Sequence, residues 1–299
     1  MLLLTIIQRK FREDITEEIG KLKEYFKSKN ISIGISESLE EDTHFIKIFC
    51  NDADYNSKLI NMFNIYMANI FYGIVIDEFY KKDIKNFLED TYFFLKDEEI
   101  VEVRRLGEKA LKSEGAILDQ NMVYCINRKN VIIEKITRFL EECKDINIKG
   151  FITFRMKEFK GELESIIDKV VENYMVGKEY NEFIKLLKYF VEIQESKIDE
   201  VNIIFKEDGE YLIQDNNGKD ILSKLTSELS EARSAGNVCI EDMLISGLIT
   251  NCPKKIIIHC SHNCGTIELL ETIKNVFLDR VVFCNKCKMC KSIKSVIKV

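Results

Sequence analysis

Apolar residues recur at steps of three and four through Phe151–Gln194. Ile152, Met156, Phe159, Leu163, Ile166, Val170 and Tyr174 form one series. Phe183, Leu186, Leu187, Phe190 and Ile193 form a second. That period places each series on one helix face. The stretch therefore predicts two amphipathic helices, with Gly177 as the break between them.

Elsewhere the spacing alternates between helix and strand periods. Leu2–Ile7 is a short apolar run and predicts a buried strand. Phe11, Ile15, Ile19, Leu22 and Phe26 follow at helical spacing. Ile31, Ile33 and Ile35 alternate with polar residues, and Phe45–Cys50 forms another strand-like run beyond the acidic turn Glu40–Asp42. The first 50 residues thus predict β-α-β-β, a helix on a small sheet. Leu59–Ile76 holds 18 residues without a charge, the length of a membrane span. Asn61, Asn64, Ala68/Asn69 and Tyr72 recur along it at helical spacing, and Asp77-Glu78 follow at once. A mixed face fits a buried core helix better than lipid, so no membrane span is expected. Ile84–Leu95, Val101–Lys112 and Val131–Cys143 continue the helical signal, Glu114-Gly115 marks an internal boundary, and Asp145–Gly150 is expected to be a loop.

After Gln194 the pattern changes. Val201–Phe205 and Tyr211–Ile213 flank an Asp208-Gly209 turn and predict a hairpin. The acids of Asp208–Asp220 lack the ligand spacing of a calcium loop and are expected to do turn chemistry. Ile221–Arg233 and Ile240–Ile249 predict helices. Lys254–His259, Ile267–Phe277 and Arg280–Cys284 then give strand, helix, strand within a short span, a βαβ unit with parallel strands.

The FITFR segment (Phe151–Arg155), its long amphipathic helix and EYNEFIKLLKYFVEIQESK (Glu179–Lys197) together resemble the YtxC-like family of endospore-forming Firmicutes, described as sporulation proteins. The resemblance is most specific over Phe151–Ile213; the N-terminal half matches only in general style. It implies a role in spore formation and a cytoplasmic location. It implies no activity, cofactor or catalytic residue, so no functional residue is carried over.

Composition adds two points. The net charge is −6, and a uniformly acidic chain binds nucleic acid poorly. The charge is uneven, however: from Cys252 onward there are nine Lys/Arg against three Asp/Glu. A nucleic-acid contact through this basic tail is the lesser reading; a solvated tail against an acidic body is the greater. The second point is sulfur. Seven of the ten cysteines follow position 238. The opening residues form no secretory signal, so disulfides are not the expectation.

Ligands of a βαβ unit favour the loops after its strands, and that is where the sulfur lies. After the first strand come His259, Cys260, His262 and Cys264; after the second comes Cys284-x-x-Cys287-x-x-Cys290. Thiolate and imidazole are the donors that zinc prefers, four to a structural site. Cysteines at this spacing with one from the partner loop also suit an iron–sulfur cluster. The expected ligands are Cys264, Cys284, Cys287 and Cys290, with His259, Cys260 and His262 as alternatives, and zinc and iron–sulfur both stay open. Redox or regulatory thiols, and a reduced tail without a metal, are the competing readings. Cys50, Cys125, Cys143, Cys239 and Cys252 are expected to be structural. His44 is expected at the surface, and Arg155 to pair with Glu158 on its helix.

The expectation is a helix-rich α+β or mixed α/β protein: a small N-terminal α/β unit, a helical middle and a C-terminal βαβ unit. The stretches run 1–115, 116–200 and 201–299. No catalytic constellation is recognised. The leading functional reading is a non-enzymatic cytoplasmic sporulation protein with an unidentified protein partner. A metal- or thiol-dependent enzyme or redox protein is the first alternative, and a nucleic-acid-associated protein the second.

Overall fold

The computed structural model describes residues 1–9, 13–112, 120–208, 210–221, 240–284, 287 and 290. It is a helix-rich α+β protein with two four-stranded sheets. The chain divides into two compact units, Met1–Met175 and Val176–Val299.

The first unit opens as its spacing predicts. β1 (Leu2–Gln8), α1 (Glu13–Ser28), β2 (Ile33–Glu40) and β3 (Thr43–Cys50) follow in order. β3 pairs antiparallel with both β1 and β2. The sheet order is β2-β3-β1-β4, and β4 is Asp145–Asn147, inside the expected loop. It pairs parallel with β1, setting Ile146 opposite Ile6, both buried. Three residues carry too little pattern to announce a strand, and the pairing partner lies about 140 positions earlier in the chain.

His44 departs from expectation. It is buried, with Nδ1 3.1 Å from Gln8 Nε2 and Nε2 3.1 Å from Glu37 Oε2. Its cross-strand neighbours supply polar partners that allow a ring to be buried.

Helix α2 (Ser57–Lys82) is capped by Asn56, whose side chain accepts from the Leu59 amide. By length and composition it could cross a membrane, yet 61% of its apolar window is buried in the protein. Asn61, Ile65, Asn69 and Gly73 lie on one exposed line, whereas Asn64, Ala68 and Tyr72 lie on a buried one. The Tyr72 hydroxyl is satisfied by donating to the Leu111 carbonyl at 3.0 Å. Around α2 pack α3 (Ile84–Thr91), α4 (Asp97–Lys112), α5 (Gln120–Glu142) and the first part of α6 (Ile148–Ile193). Phe71, Phe139, Phe151 and Phe159 form a contiguous aromatic chain in this core.

α6 is one helix, not two. Gly177 is helical with an ordinary φ, so it does not end the helix. A glycine costs a helix interior only about 1 kcal/mol, which burial of Val170 and Val171 before it and of Ile184 and Val191 beyond it outweighs. The second expected face is displaced: Phe183, Leu186, Phe190 and Ile193 are exposed, and of that series only Leu187 packs against a core. The boundary between compact units nevertheless falls beside it. Residues 116–200 contribute to both cores: Ile132 and Ile136 to the first, Ile184 and Val191 to the second. Arg155 donates to Glu158 at 2.7 Å and lies over the Phe139 ring, so its charge is spent on its own surroundings.

The second unit carries a sheet of order β6-β5-β7-β8. β5 (Glu200–Phe205) and β6 (Tyr211–Gln214) form the expected hairpin. Asp208 and Asp215 accept from backbone amides two to four residues on, which is turn chemistry. α7 (Ile240–Asn251) leads to β7 (Lys255–His259), α8 (Ile267–Phe277) and β8 (Val281–Phe283). β7 runs parallel to β5 on one side and to β8 on the other. Val201, Ile203, Ile256 and Ile258 enter the core from one face of the sheet. Alternation therefore turns Glu200, Asn202, Ile257 and His259 to the other face. The expected helix over Ile221–Arg233 lies almost wholly outside the described residues, as does Cys239.

Candidate metal centre

Parallel pairing explains how chain segments about 25 residues apart meet. Register sets Ile258 opposite Phe283. The Cys284 amide then donates to the Ile258 carbonyl at 2.8 Å, extending the ladder one step. This holds Cys284 beside His259, at the C-terminal ends of adjacent strands. Cys287 and Cys290 follow at intervals of three, and both sulfurs fold back to the same ring.

The four ligand atoms of His259, Cys284, Cys287 and Cys290 all lie within 4.8 Å of one another. Nδ1 of His259 is 3.4 Å from Cys287 Sγ and 3.5 Å from Cys290 Sγ. Cys290 Sγ is 3.7 Å from both Cys287 Sγ and Cys284 Sγ. Four sulfurs bound tetrahedrally at about 2.3 Å would stand about 3.8 Å apart, and a sulfur and an imidazole nitrogen about 3.5 Å apart. These four separations match those edges, and the remaining two are within 4.8 Å. His259 and Cys290 are buried, Cys284 and Cys287 half-buried.

The other expected ligands stand elsewhere. The residue grouped with the three cysteines is His259, from the alternative set; the Cys264 thiol instead donates to the Thr266 carbonyl at 3.2 Å. Thr266 sits at the start of α8, but its hydroxyl donates to Glu241 at 2.5 Å and does not cap the helix. His262 is exposed in a short 3-10 turn, Ser261–Asn263. Cys260 is buried at φ 53°, with its thiol close enough to Cys290 to perturb it. Cys252 is fully buried and donates to the Val191 carbonyl at 3.2 Å, a structural role. Lys286, Lys288 and Lys291 lie outside the described residues.

Burial sets the proton affinities of the metal-free group. It pushes the Cys284 and Cys290 thiols up and the His259 imidazole down, the last against a smaller pull from Glu200. A neutral imidazole is the form that ligates. A bound cation reverses the balance for the thiols, because binding expels their protons.

One participant escaped the sequence reading. His259 Nε2 is 3.0 Å from the Oδ1 of Asn202, which is buried in β5. The available signal was an amide inside the apolar run Val201–Phe205.

The YtxC-like family model matches residues 65–282, well over half of the chain. The chain is also similar to an uncharacterized protein YtxC of Bacillus subtilis (strain 168), 23% identical over 194 residues, 65% of this chain and 67% of the relative. No solved structure matches. The family match includes His259 and stops two residues short of Cys284, so the cysteine triplet is a property read from this chain itself. With most of its length matched in this way, the chain belongs to the YtxC-like family.

Proposed function

We propose that this protein binds one zinc ion through His259, Cys284, Cys287 and Cys290, that the ion is structural, and that the protein works in spore formation by binding partner proteins in the cytoplasm. The observation that carries the metal reading is the spacing of the four donors, which fits a tetrahedron at zinc–sulfur and zinc–nitrogen bond lengths. Four protein donors fill such a site and leave no open position for water or substrate, which supports a structural role over a catalytic one. A multi-iron cluster distributes its cysteines over several irons and needs them spread around a larger body. Donors gathered within 4.8 Å suit a single ion.

The ion's physical work follows from where the donors lie. Among the described residues β8 is a three-residue edge strand with two exposed apolar residues, Val282 and Phe283. Little core holds such a strand, and a metal bridging His259 on β7 to the segment after β8 would fasten it. The spore-formation reading is what the sequence resemblance to the family implies, and the burial of α2 supports a location away from the membrane.

The test is anaerobic purification followed by elemental analysis and a visible spectrum, on the wild type and on Cys287→Ser. One zinc per chain, colourless and lost in the variant, is the expected result. A brown protein containing iron and sulfide, or a folded wild type without metal, overturns the zinc reading. Normal spore yield from a strain lacking the protein would overturn the role in spore formation.

A further inference from the structure

The amide of Asn202 has all its polar atoms engaged. Nδ2 donates to Glu200 Oε1 at 3.2 Å and to the Asp215 carbonyl at 3.4 Å. Both partners are acceptors only, so the amide nitrogen must face them, and Oδ1 is left facing the imidazole. An oxygen acceptor 3.0 Å from Nε2 requires the proton on that nitrogen. Nδ1 then carries the bare lone pair, and Nδ1 is the atom set among the three sulfurs. Glu200 is itself held by the Lys255 ammonium at 3.0 Å, across the parallel β5–β7 register. The order Lys255, Glu200, Asn202, His259 is therefore directional: each group's orientation dictates that of the next.

From this geometry we infer that Asn202 is a positioning residue of the metal centre, selecting the His259 tautomer that presents Nδ1 to zinc. The inference rests on the zinc reading above. Asn202 touches no metal; it acts through the ring. A hydrogen-bond acceptor behind a ligating imidazole fixes the ring and raises its basicity, and losing such a group typically weakens metal binding by roughly 10–100-fold. The position also discriminates between amide and acid. Aspartate at 202 would turn one oxygen toward the Glu200 carboxylate and the Asp215 carbonyl, where no donor remains.

The experiment measures zinc affinity of the full chain by competition with a chromophoric chelator. It compares the wild type with Asn202→Leu and with the double exchange Glu200→Gln, Asn202→Asp. Asn202→Leu removes the acceptor at nearly constant shape and should weaken zinc binding by roughly 10–100-fold. The double exchange swaps amide and carboxylate between positions 200 and 202 and keeps an oxygen facing Nε2, losing only the longer 3.4 Å contact to the Asp215 carbonyl. It should hold zinc within about threefold of the wild type, an effect far smaller than that expected from losing the acceptor. Should Asn202→Leu fail to fold, the double exchange decides alone. Wild-type affinity in Asn202→Leu, or a double exchange that binds zinc as weakly as acceptor loss predicts, overturns the inference while leaving the zinc site standing. A wild type that takes up no zinc overturns both.

Discussion

Gly107 provides a test of the first unit's packing in which two known effects oppose each other. It lies in α4, where an exposed glycine replaced by alanine would gain about 1 kcal/mol of helix stability. This glycine is buried, and a β-carbon built on it would meet Ile167 Cδ1 at 2.6 Å and the Tyr80 hydroxyl at 3.0 Å. Ordinary carbon contacts lie at about 3.5–4.0 Å, so the alanine methyl is about 1 Å too close. Neither neighbour yields freely: Ile167 is fully buried, and Tyr80 donates to the Arg104 carbonyl at 3.0 Å. Overpacking of this kind costs about 1–3 kcal/mol. Gly107→Ala should therefore destabilise the first unit by about 1 kcal/mol net, the difference between the clash and the propensity gain. Gly161→Ala, on a helical position with open space around it, should stabilise by about 0.5–1 kcal/mol. Ile167→Val removes the clashing carbon at a cost of about 0.5–1.5 kcal/mol. Combined with Gly107→Ala it should be less harmful than the two single changes added, by about 1 kcal/mol. Urea titration read by hydrogen exchange of peptides from α4 and α6 confines the measurement to this unit. A Gly107→Ala protein as stabilised as Gly161→Ala would refute the close contact between α4 and α6.

Two further predictions concern the second unit. In zinc-loaded protein, X-ray absorption should report three sulfurs at about 2.3 Å and one nitrogen at about 2.0–2.1 Å. Cys264→Ser should leave that shell intact while Cys284→Ser depletes it; a four-sulfur shell would mean that Cys264 or Cys260 displaces His259. Glu200 is held below the ordinary carboxylate range, first by its hydrogen bond from Lys255. A depressed folded-state pKa contributes stability that is complete above the unfolded value of about 4.3 and is lost as pH falls through the lower folded value. Glu200→Gln should flatten the acid limb of the second unit's stability curve, measured by urea titration with chelator present; an unchanged acid limb would show that the Lys255 pair is fully screened.

Local periodicity alone announced α1, most of α2, the β5–β6 hairpin and the parallel strands β7 and β8. The helices carry enough apolar repeats to define a face, and the strands read as apolar runs bounded by turn residues. The same reading placed both cysteine-bearing loops at one sheet edge, because parallel neighbours end on the same side. It also anticipated Cys284, Cys287 and Cys290 as a group, since their spacing is a property of adjacent residues. The rest depended on partners remote in sequence. β4 exists through pairing with β1, and His44 is buried because Gln8 and Glu37 satisfy its ring. Gly177 stays helical because residues buried on both sides of it, Val170 and Val171 before and Ile184 and Val191 after, outweigh its local preference. The choice of His259 over Cys264 was likewise tertiary. One ends a strand beside Cys284, while the other lies beyond a turn and spends its thiol on Thr266. Asn202 reaches the ring only because β5 and β7 run parallel in one register. Residue types and their short-range spacing could name the candidate donors; which four converge was decided by sheet register, since only pairing between distant strands brings such side chains to within 4.8 Å of one another.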